Sequence, residues 1–273
     1  MTRRLINRRP DRAGLVAWGA LPFLIAIIAY FIFSTLRLLE NPNDKLLPGL
    51  TAFGRSLAAI AINPDTRTGQ ILLWADTLSS LRRLLLGLAA ATGFGLVLGV
   101  GTGVIPYVRA GLAPVIAVVS MIPPMAVLPI LFIVFGLDEL SKVVLIVVGI
   151  APFLVRDLAL RVGELPGEQL IKAQTLGAST WQIILRVVLP QIIPRLLDGI
   201  RLSLGPAWLF LISAEAIAAS DGLGYRIFLM RRYLAMDVIL PYVAWITLLA
   251  FVMDWLLRRI SRRFFPWLRT EAA

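Results

Sequence analysis

The 273 residues include no cysteine and no histidine, which removes thiolate nucleophiles, disulfides, structural zinc of the usual kind and imidazole acid–base catalysis together. Carboxylates are left for proton transfer or metal binding, yet no Asp or Glu pair stands at i, i+3 or i+4 inside an apolar run. Neither a paired-acid centre nor a metal site is predicted, and the chain is not expected to be an enzyme. Asp157, Glu215 and Asp254 do fall in or beside apolar runs. Asp157 lies four residues before Arg161 and Asp254 four before Arg258, the spacing of same-face ion pairs on a helix. Glu215 has no such neighbour. A carboxylate at membrane depth is costly, so Glu215 is a candidate for contact with a passing solute or for a structural or gating role, the latter favoured. Trp208 and Tyr225 on or just beyond the same segment, with Pro123 and Pro124 earlier, complete the candidates for a pathway.

A docking element is written between Arg161 and Gly205, where charged residues interrupt apolar sequence. Leu165-Pro166-Gly167-Glu168 puts a proline and an acid in a first turn, and Gly177 stands where a left-handed C-cap would close the helix. Ser179 precedes Gln182 by three residues, the spacing of a capping box, so a second helix begins at once and is expected to run to a break at Leu189-Pro190. An ordinary helix–turn–helix connection would account for Gly177 and the capping box by themselves, so the membrane context carries weight.

Composition supplies that context. With 59% hydrophobic and 16% charged residues and a mean hydropathy of +0.84, the chain is far outside the soluble range. Uncharged runs at 13–36, 84–108 and 110–137 each exceed the ~18 residues that mark a spanning helix. Runs at 143–155, 202–214 and 238–253 are shorter, and extend through flanking residues that snorkel or face a protein interior. Six spans are expected, in an all-α membrane protein. The first run is too long for a signal-peptide core and is read as a retained helix.

The net charge of +11 orients the protein rather than binding nucleic acid, since no aromatic-basic module accompanies it. Six spans with the amino terminus inside place 17 of the 27 basic residues in the cytoplasm, among them Arg3, Arg4, Arg8, Arg9, Arg262, Arg263 and Arg269, in line with the positive-inside rule. The external segment 38–76 carries turn signals at Asn41-Pro42-Asn43-Asp44, Pro48-Gly49 and Asn63-Pro64-Asp65 around a short amphipathic helix, Thr51–Ile62. Gly87, Ala91, Gly95, Gly99 and Gly103 form a four-residue stripe for close helix packing, either within the chain or against a second copy. Pro114, Pro123-Pro124, Pro129 and Gly205-Pro206 predict kinked spans whose freed carbonyls face protein or a water-filled cavity.

The loop resembles that of bacterial ABC-importer permeases, whose pattern is Glu-Ala-Ala, three residues, Gly, nine residues, then Ile-x-Leu-Pro. Here it reads Ile171-Lys172-Ala173, Gly177 and Val187-Val188-Leu189-Pro190. Ile171 and Lys172 replace the first Glu and Ala. The likeness extends from about Asp76 to Trp267 and is to the nitrate, sulfonate, taurine and bicarbonate importer group. It is carried by Ser120-Met121-Ile122-Pro123-Pro124-Met125-Ala126, Phe135-Gly136 with Ser141-Lys142, Leu176-Gly177-Ala178-Ser179, Ala207-Trp208, Ala214-Glu215-Ala216-Ile217, Gly222-Leu223-Gly224 and Arg262-Arg263-Phe264-Phe265-Pro266-Trp267. Residues 41–48 and 231–237 look like the branch associated with urea or guanidine carboxylases.

The resemblance implies a type I ABC importer permease fold with a cytoplasmic coupling helix, and a bacterial inner-membrane location with both termini cytoplasmic. Residues 1–75 would hold the N-terminus, first span and periplasmic segment, 76–263 the core with a coupling loop at 161–190, and 264–273 the tail. It implies as partners a second permease copy, two cytoplasmic ATPase subunits, a periplasmic substrate-binding protein and the lipid bilayer. It also implies ATPase-coupling roles for Ile171, Lys172, Ala173, Gly177, Leu189 and Pro190. No Gly-x-x-x-x-Gly-Lys-Ser/Thr loop occurs, so this chain is expected to hold no cofactor, with ATP and Mg in the partner ATPase. The solute would be nitrate, a sulfonate, taurine, bicarbonate or urea- or guanidine-like. A secondary transporter or channel would use similar spans but gives no reason for the loop from Gly177 to Pro190.

Overall fold

The computed structural model describes residues 10–41, 44–66 and 68–267, and every regular element in them is helical. Expectations attached to Arg3, Arg4, Arg8, Arg9, Pro42, Asn43 and Arg269 lie outside the described residues. In chain order the helices are α1 (Arg12–Glu40), α2 (Leu50–Ile62), α3 (Leu72–Val104), α4 (Pro106–Val119), α5 (Pro124–Phe135), α6 (Glu139–Gly163), α7 (Gly167–Thr175), α8 (Thr180–Ile183), α9 (Leu189–Ala218), α10 (Leu223–Arg231) and α11 (Met236–Phe264). Among the described residues α1, α3, α6 and α11 are long and apolar enough to cross a membrane, as are two bent pairs, α4 with α5 and the α8–α9 helix with α10.

The small-residue stripe of α3 is filled by α6. A Cβ added at Gly87 would lie 2.7 Å from Ile146, at Gly95 2.7 Å from Leu154, at Gly99 2.8 Å from Leu158 and at Gly103 2.5 Å from Val162. In each pair the partner's number is higher by the same amount, so the two helices run parallel in one register. Only hydrogen fits at these positions, and the backbones approach accordingly. The stripe therefore serves packing within the chain.

Parallel neighbours need a return crossing, and α4 with α5 makes it. The chain leaves α3 at the end where Gly103 meets Val162 and re-enters α6 at the other, so residues 105–138 have to cover the bundle's length. They do so as two helices bent by 95° at 120–123, so the kink expected at Pro123-Pro124 within the 110–137 run is a full break between two helices. Pro123 and Pro124 open α5, lacking the amides a continuous helix would need there.

The other boundaries move for one reason. An uncharged run ends at the first charge, whereas a helix continues through charges that find partners in the protein. α3 starts at Leu72, ahead of Asp76 and Arg83, which are 1% and 2% exposed. At 33 residues it is about 50 Å long, more than a hydrocarbon core of roughly 30 Å requires. The expected break at Leu189-Pro190 is absent. A five-residue π-turn, Ile184–Val188, joins α8 to α9, and its wider turn accommodates a proline ring that would otherwise press on the carbonyl four residues back.

α9 climbs from the α7 end of the bundle to the opposite end, where α10 lies across its top, and α11 descends beside it. Arg201 of α9 pairs with Asp254 of α11 about midway along both helices, and Asp76, Arg226 and Tyr242 meet near the end opposite α7. With α1, and with each bent pair counted as one span, the described helices give up to six crossings by length and composition. α2 forms a packed cap on α11 and α3, with Ser56 donating to Asp237 at 2.6 Å and the Trp74 indole to the Ala61 carbonyl at 3.2 Å. Tyr30 and Ser34 of α1 donate to the carbonyls of Pro48 and Leu47, tying the first span to the loop beneath that cap.

Gly95→Val should lower the apparent thermal stability of the purified protein by about 1–3 kcal/mol, the cost of overpacking. Gly93→Val, where an added Cβ meets nothing within 4 Å, should change it by less than about 0.5 kcal/mol. Thermal unfolding of the two variants in one detergent decides. Equal shifts would contradict the α3–α6 register.

Candidate functional site

The sequence candidates separate into two groups, one at each end of the bundle. Opposite α7, the end is organised by Arg83, whose guanidinium is almost wholly enclosed. It donates from Nη1 to Glu215 Oε1 at 2.8 Å and to the Asp221 carbonyl at 3.0 Å, and from Nη2 to Glu139 Oε1 at 2.6 Å. Nη2 also pairs with the Asp221 carboxylate, and Nε with Glu139. Glu215 exposes no surface, and its oxygens accept further hydrogen bonds from the Ser80 hydroxyl at 2.8 and 2.9 Å and from the Gly224 amide at 2.8 Å. A second cluster adjoins it. Asp76 accepts from Arg226 at 2.8 Å, from the Tyr242 hydroxyl at 3.0 Å and from the Gly222 amide at 3.1 Å.

Every buried charge here has an opposite charge and fixed donors or acceptors, the condition under which burial is tolerable. Gly222 closes the arrangement with φ +110, and a Cβ there would lie 2.6 Å from the Glu215 carboxylate. Trp208, two turns before Glu215 on α9, is 4% exposed and its indole N–H finds no acceptor among the described residues. Tyr225 follows Gly224 on α10 and is half-buried, with the Arg226 guanidinium 5.8 Å from its ring centroid. Arg83, Ser80, Asp76, Arg226 and Tyr242 were not singled out from sequence. The available signal was that Asp76 and Arg83, seven residues apart at the head of a long apolar helix, share a face.

At the other end α7 and α8 form an exposed elbow. The Gly177 amide bonds the Gln174 carbonyl at 2.9 Å and the Ala178 amide the Ala173 carbonyl at 3.0 Å, the two bonds of a Schellman closure. Gly177 has φ +79, a conformation that costs a β-branched residue heavily. The capping box forms in both directions, Gln182 N to Ser179 Oγ at 3.3 Å and Ser179 N to Gln182 Oε1 at 2.8 Å. Ile171, Lys172 and Pro190 are exposed, while Ala173 and Leu189 are half-buried against the core that holds Leu158 and Val188. Leu176 and Trp181 add further exposed apolar surface at 80% and 66%. Leu170, half-buried in the same core, keeps one side of α7 on the bundle.

Pro123 and Pro124 belong to neither group. They sit at the α4–α5 bend, where Pro124 lines a cavity of about 420 Å³ with Ser120, Arg156 and Phe210. The i, i+4 pairs are present: Asp157 with Arg161 at 3.5 Å, and Asp254 with Arg258, the latter shared with Arg201 of α9 at 2.9 Å.

This is the fold of a type I ABC importer permease. It is shared with a chain of the methionine ABC transporter MetNI solved in inward-facing conformations, with a TM-score of 0.63, 73% of this chain and 99% of that chain covered, and 21% identity. Residues 91–266 match the binding-protein-dependent transport system inner membrane component family, and the chain belongs to it. It is 40% identical over 196 residues to the taurine transport system permease protein TauC of Escherichia coli K12, covering 71% of each chain. A putative aliphatic sulfonates transport permease of Bacillus subtilis is 30% identical, covering 69% of this chain and 68% of its own length. The protein is thus a multi-pass inner-membrane transport component.

Arg83→Ala would leave Glu215 buried without its counter-charge, and should destabilise by about 3–5 kcal/mol. Glu215→Gln keeps acceptor and donor atoms near Ser80 and Gly224 and leaves Arg83 with Glu139 and Asp221, so it should cost much less. The unfolding midpoint and the yield of monodisperse protein measure both. An Arg83→Ala protein as stable as the parent would show that the network does not hold the helices.

Proposed function

We propose that this chain is the permease subunit of an ATP-driven importer, paired with a second copy, and that its α7–α8 elbow docks on a separate ATPase that binds ATP and Mg. The carrying observation is mechanical. A glycine-locked turn presents Ile171, Lys172, Leu176 and Trp181 outward, and α8 runs through the π-turn into α9 without a break. A push on α7 is therefore delivered to a 30-residue helix whose far end lies beside the Arg83 network. Such coupling needs an ATPase dimer that binds the inward and outward states unequally.

The elbow end would face the cytoplasm with both termini, and the α2 cap and the loops around Asp221 would meet a periplasmic binding protein. Basic residues support this polarity, since Arg258, Arg259, Arg262 and Arg263 cluster where α11 ends. With the α3 stripe occupied by α6, a second copy would use another face. Glu215 and Arg83 act in this reading as a lock between helices, while the solute passes elsewhere. The relatives named for taurine and sulfonates favour a small polar solute carrying an acidic group.

Gly177→Val should abolish binding-protein-stimulated ATP hydrolysis and uptake while the protein still inserts and purifies with a normal unfolding profile. Normal stimulation in this variant would remove the elbow from coupling. For the polarity, Asn63→Cys should react with an impermeant maleimide added to intact cells, whereas Phe264→Cys should react only after permeabilisation. The reverse pattern would invert the orientation.

A further inference from the structure

Positive charge is concentrated in the last turns of α11. Leu257 is the last apolar side chain of that helix packed against the bundle core, and two further turns run on to Phe264. Four arginines stand there. Arg258 pairs with Asp254, whereas Arg259, Arg262 and Arg263 are exposed and have no carboxylate in range among the described residues. The Arg259 guanidinium lies instead 5.5 Å from the centroid of the Trp255 ring.

Helical spacing sorts these residues onto one face. Leu248, Val252 and Trp255, at i, i+4 and i+7, are exposed, and the same line continues through Arg259 and Arg262 at i+11 and i+14. An open cavity of about 840 Å³ lies where the apolar part of this line meets the basic part, walled by Trp255, Phe264 and the side chains of Arg258, Arg259, Arg262 and Arg263, with no acidic residue in its lining. Its depth follows from the sequence. The uncharged run of α11 ends at Met253, and Arg258 and Arg259 come about 8 to 9 Å of helix later, in the polar layer beside a hydrocarbon core of roughly 30 Å. Orienting a chain by its charge requires neither a cavity nor aromatic rings among the arginines.

We propose that this cavity binds an anionic phospholipid of the surrounding bilayer. The phosphodiester sits among Arg259, Arg262 and Arg263, and the acyl chains run along the exposed line of Trp255, Val252 and Leu248. Guanidiniums free of a carboxylate can give charge-assisted, bidentate hydrogen bonds to phosphate oxygens, and a basic cluster beside a spanning helix is drawn to an anionic leaflet. Trp255 serves both halves of the site, holding Arg259 over its ring and extending the apolar wall. A zwitterionic headgroup fits less well, because its own ammonium meets four arginines. Free phosphate, a nucleic acid or an acidic protein surface would engage the arginines and leave the apolar line beside them unused. The bound lipid would steady the last turns of α11, one turn beyond the Asp254 pair with Arg201 of α9. The site depends on the chain's place in a membrane and not on the direction of transport.

The full chain, purified in dodecyl maltoside, is titrated with dioctanoyl phosphatidylglycerol, and bound lipid is counted by native mass spectrometry against phosphatidylcholine of the same chain length. Saturable binding of phosphatidylglycerol is expected, tighter than that of phosphatidylcholine by roughly tenfold or more. The combined variant Arg259→Gln, Arg262→Gln, Arg263→Gln should lose a similar factor, as removal of three charges at a lipid surface implies. Arg55→Gln, Arg231→Gln, Arg232→Gln takes the same charge from the end opposite α7 and should leave the affinity unchanged, as should a large excess of inorganic phosphate. Equal binding of the two lipids, equal binding by the parent and the α11 variant, equal weakening in the distal variant, or displacement by phosphate would each overturn the site. The unfolding profile shows whether the α11 variant is folded. If it is not, Trp255→Ala is read in its place with every arginine intact, and phosphatidylglycerol binding as tight as the parent's would then overturn the site.

Discussion

The Arg83 guanidinium is the tie on which the rest of the bundle depends. It leaves α3 and reaches the first turn of α6, the last turns of α9 and the loop before α10 at once, so three stretches distant in sequence share one charge. In a lipid environment the helices gain little from burying apolar side chains against each other, because lipid tails are as apolar as the side chains. A network whose every member is satisfied specifies one arrangement in a way that Leu-on-Leu packing does not. Replacing it wholesale with apolar residues need not reduce stability, but it would remove that specification. Two of its carboxylates, Glu139 and Asp221, are 60% and 51% exposed, so the tie reaches the surface on one side while Glu215 seals it on the other.

Below the tie, geometry follows from close backbone approach. The stripe from Gly87 to Gly103 sets α3 and α6 parallel, and parallel neighbours oblige the segment between them to cross back. That segment is built from helices broken at Ser120 to Pro123, and the break leaves a cavity beside α6. Rigid packing and an irregular return crossing are therefore one design: α3 with α6 supplies the fixed wall, and the bend supplies the opening. Irregular backbone at membrane depth is tolerable only where protein or a water-filled cavity adjoins it, and the bend meets that condition.

The elbow and the tie sit at opposite ends of a single helical rod. α8, the π-turn and α9 form one continuous helical path from Thr180 to Ala218. The π-turn widens the helix to admit Pro190, and it lies within a turn or so of the elbow.

Composition and punctuation made much of this legible without coordinates. The apolar content required a bilayer, the number of crossings followed from apolar runs, and Gly177, Ser179 and Gln182 announced a locked pair of short helices because capping chemistry is local and acts within a few residues. Legibility stopped where partners are distant in sequence. Span limits were misplaced at Asp76 and Arg83 because a charge reads as an interruption until its counter-charge, more than 130 residues away for Glu215, is seen beside it. The break expected at Pro190 was overridden by a π-turn that packing sustains. The glycine stripe was equally consistent with a contact inside the chain or outside it, and the register against Ile146, Leu154, Leu158 and Val162 decided for the inside. Glu215 could be singled out as costly from sequence, but its enclosure by Arg83, Ser80 and Gly224 depends on three segments meeting.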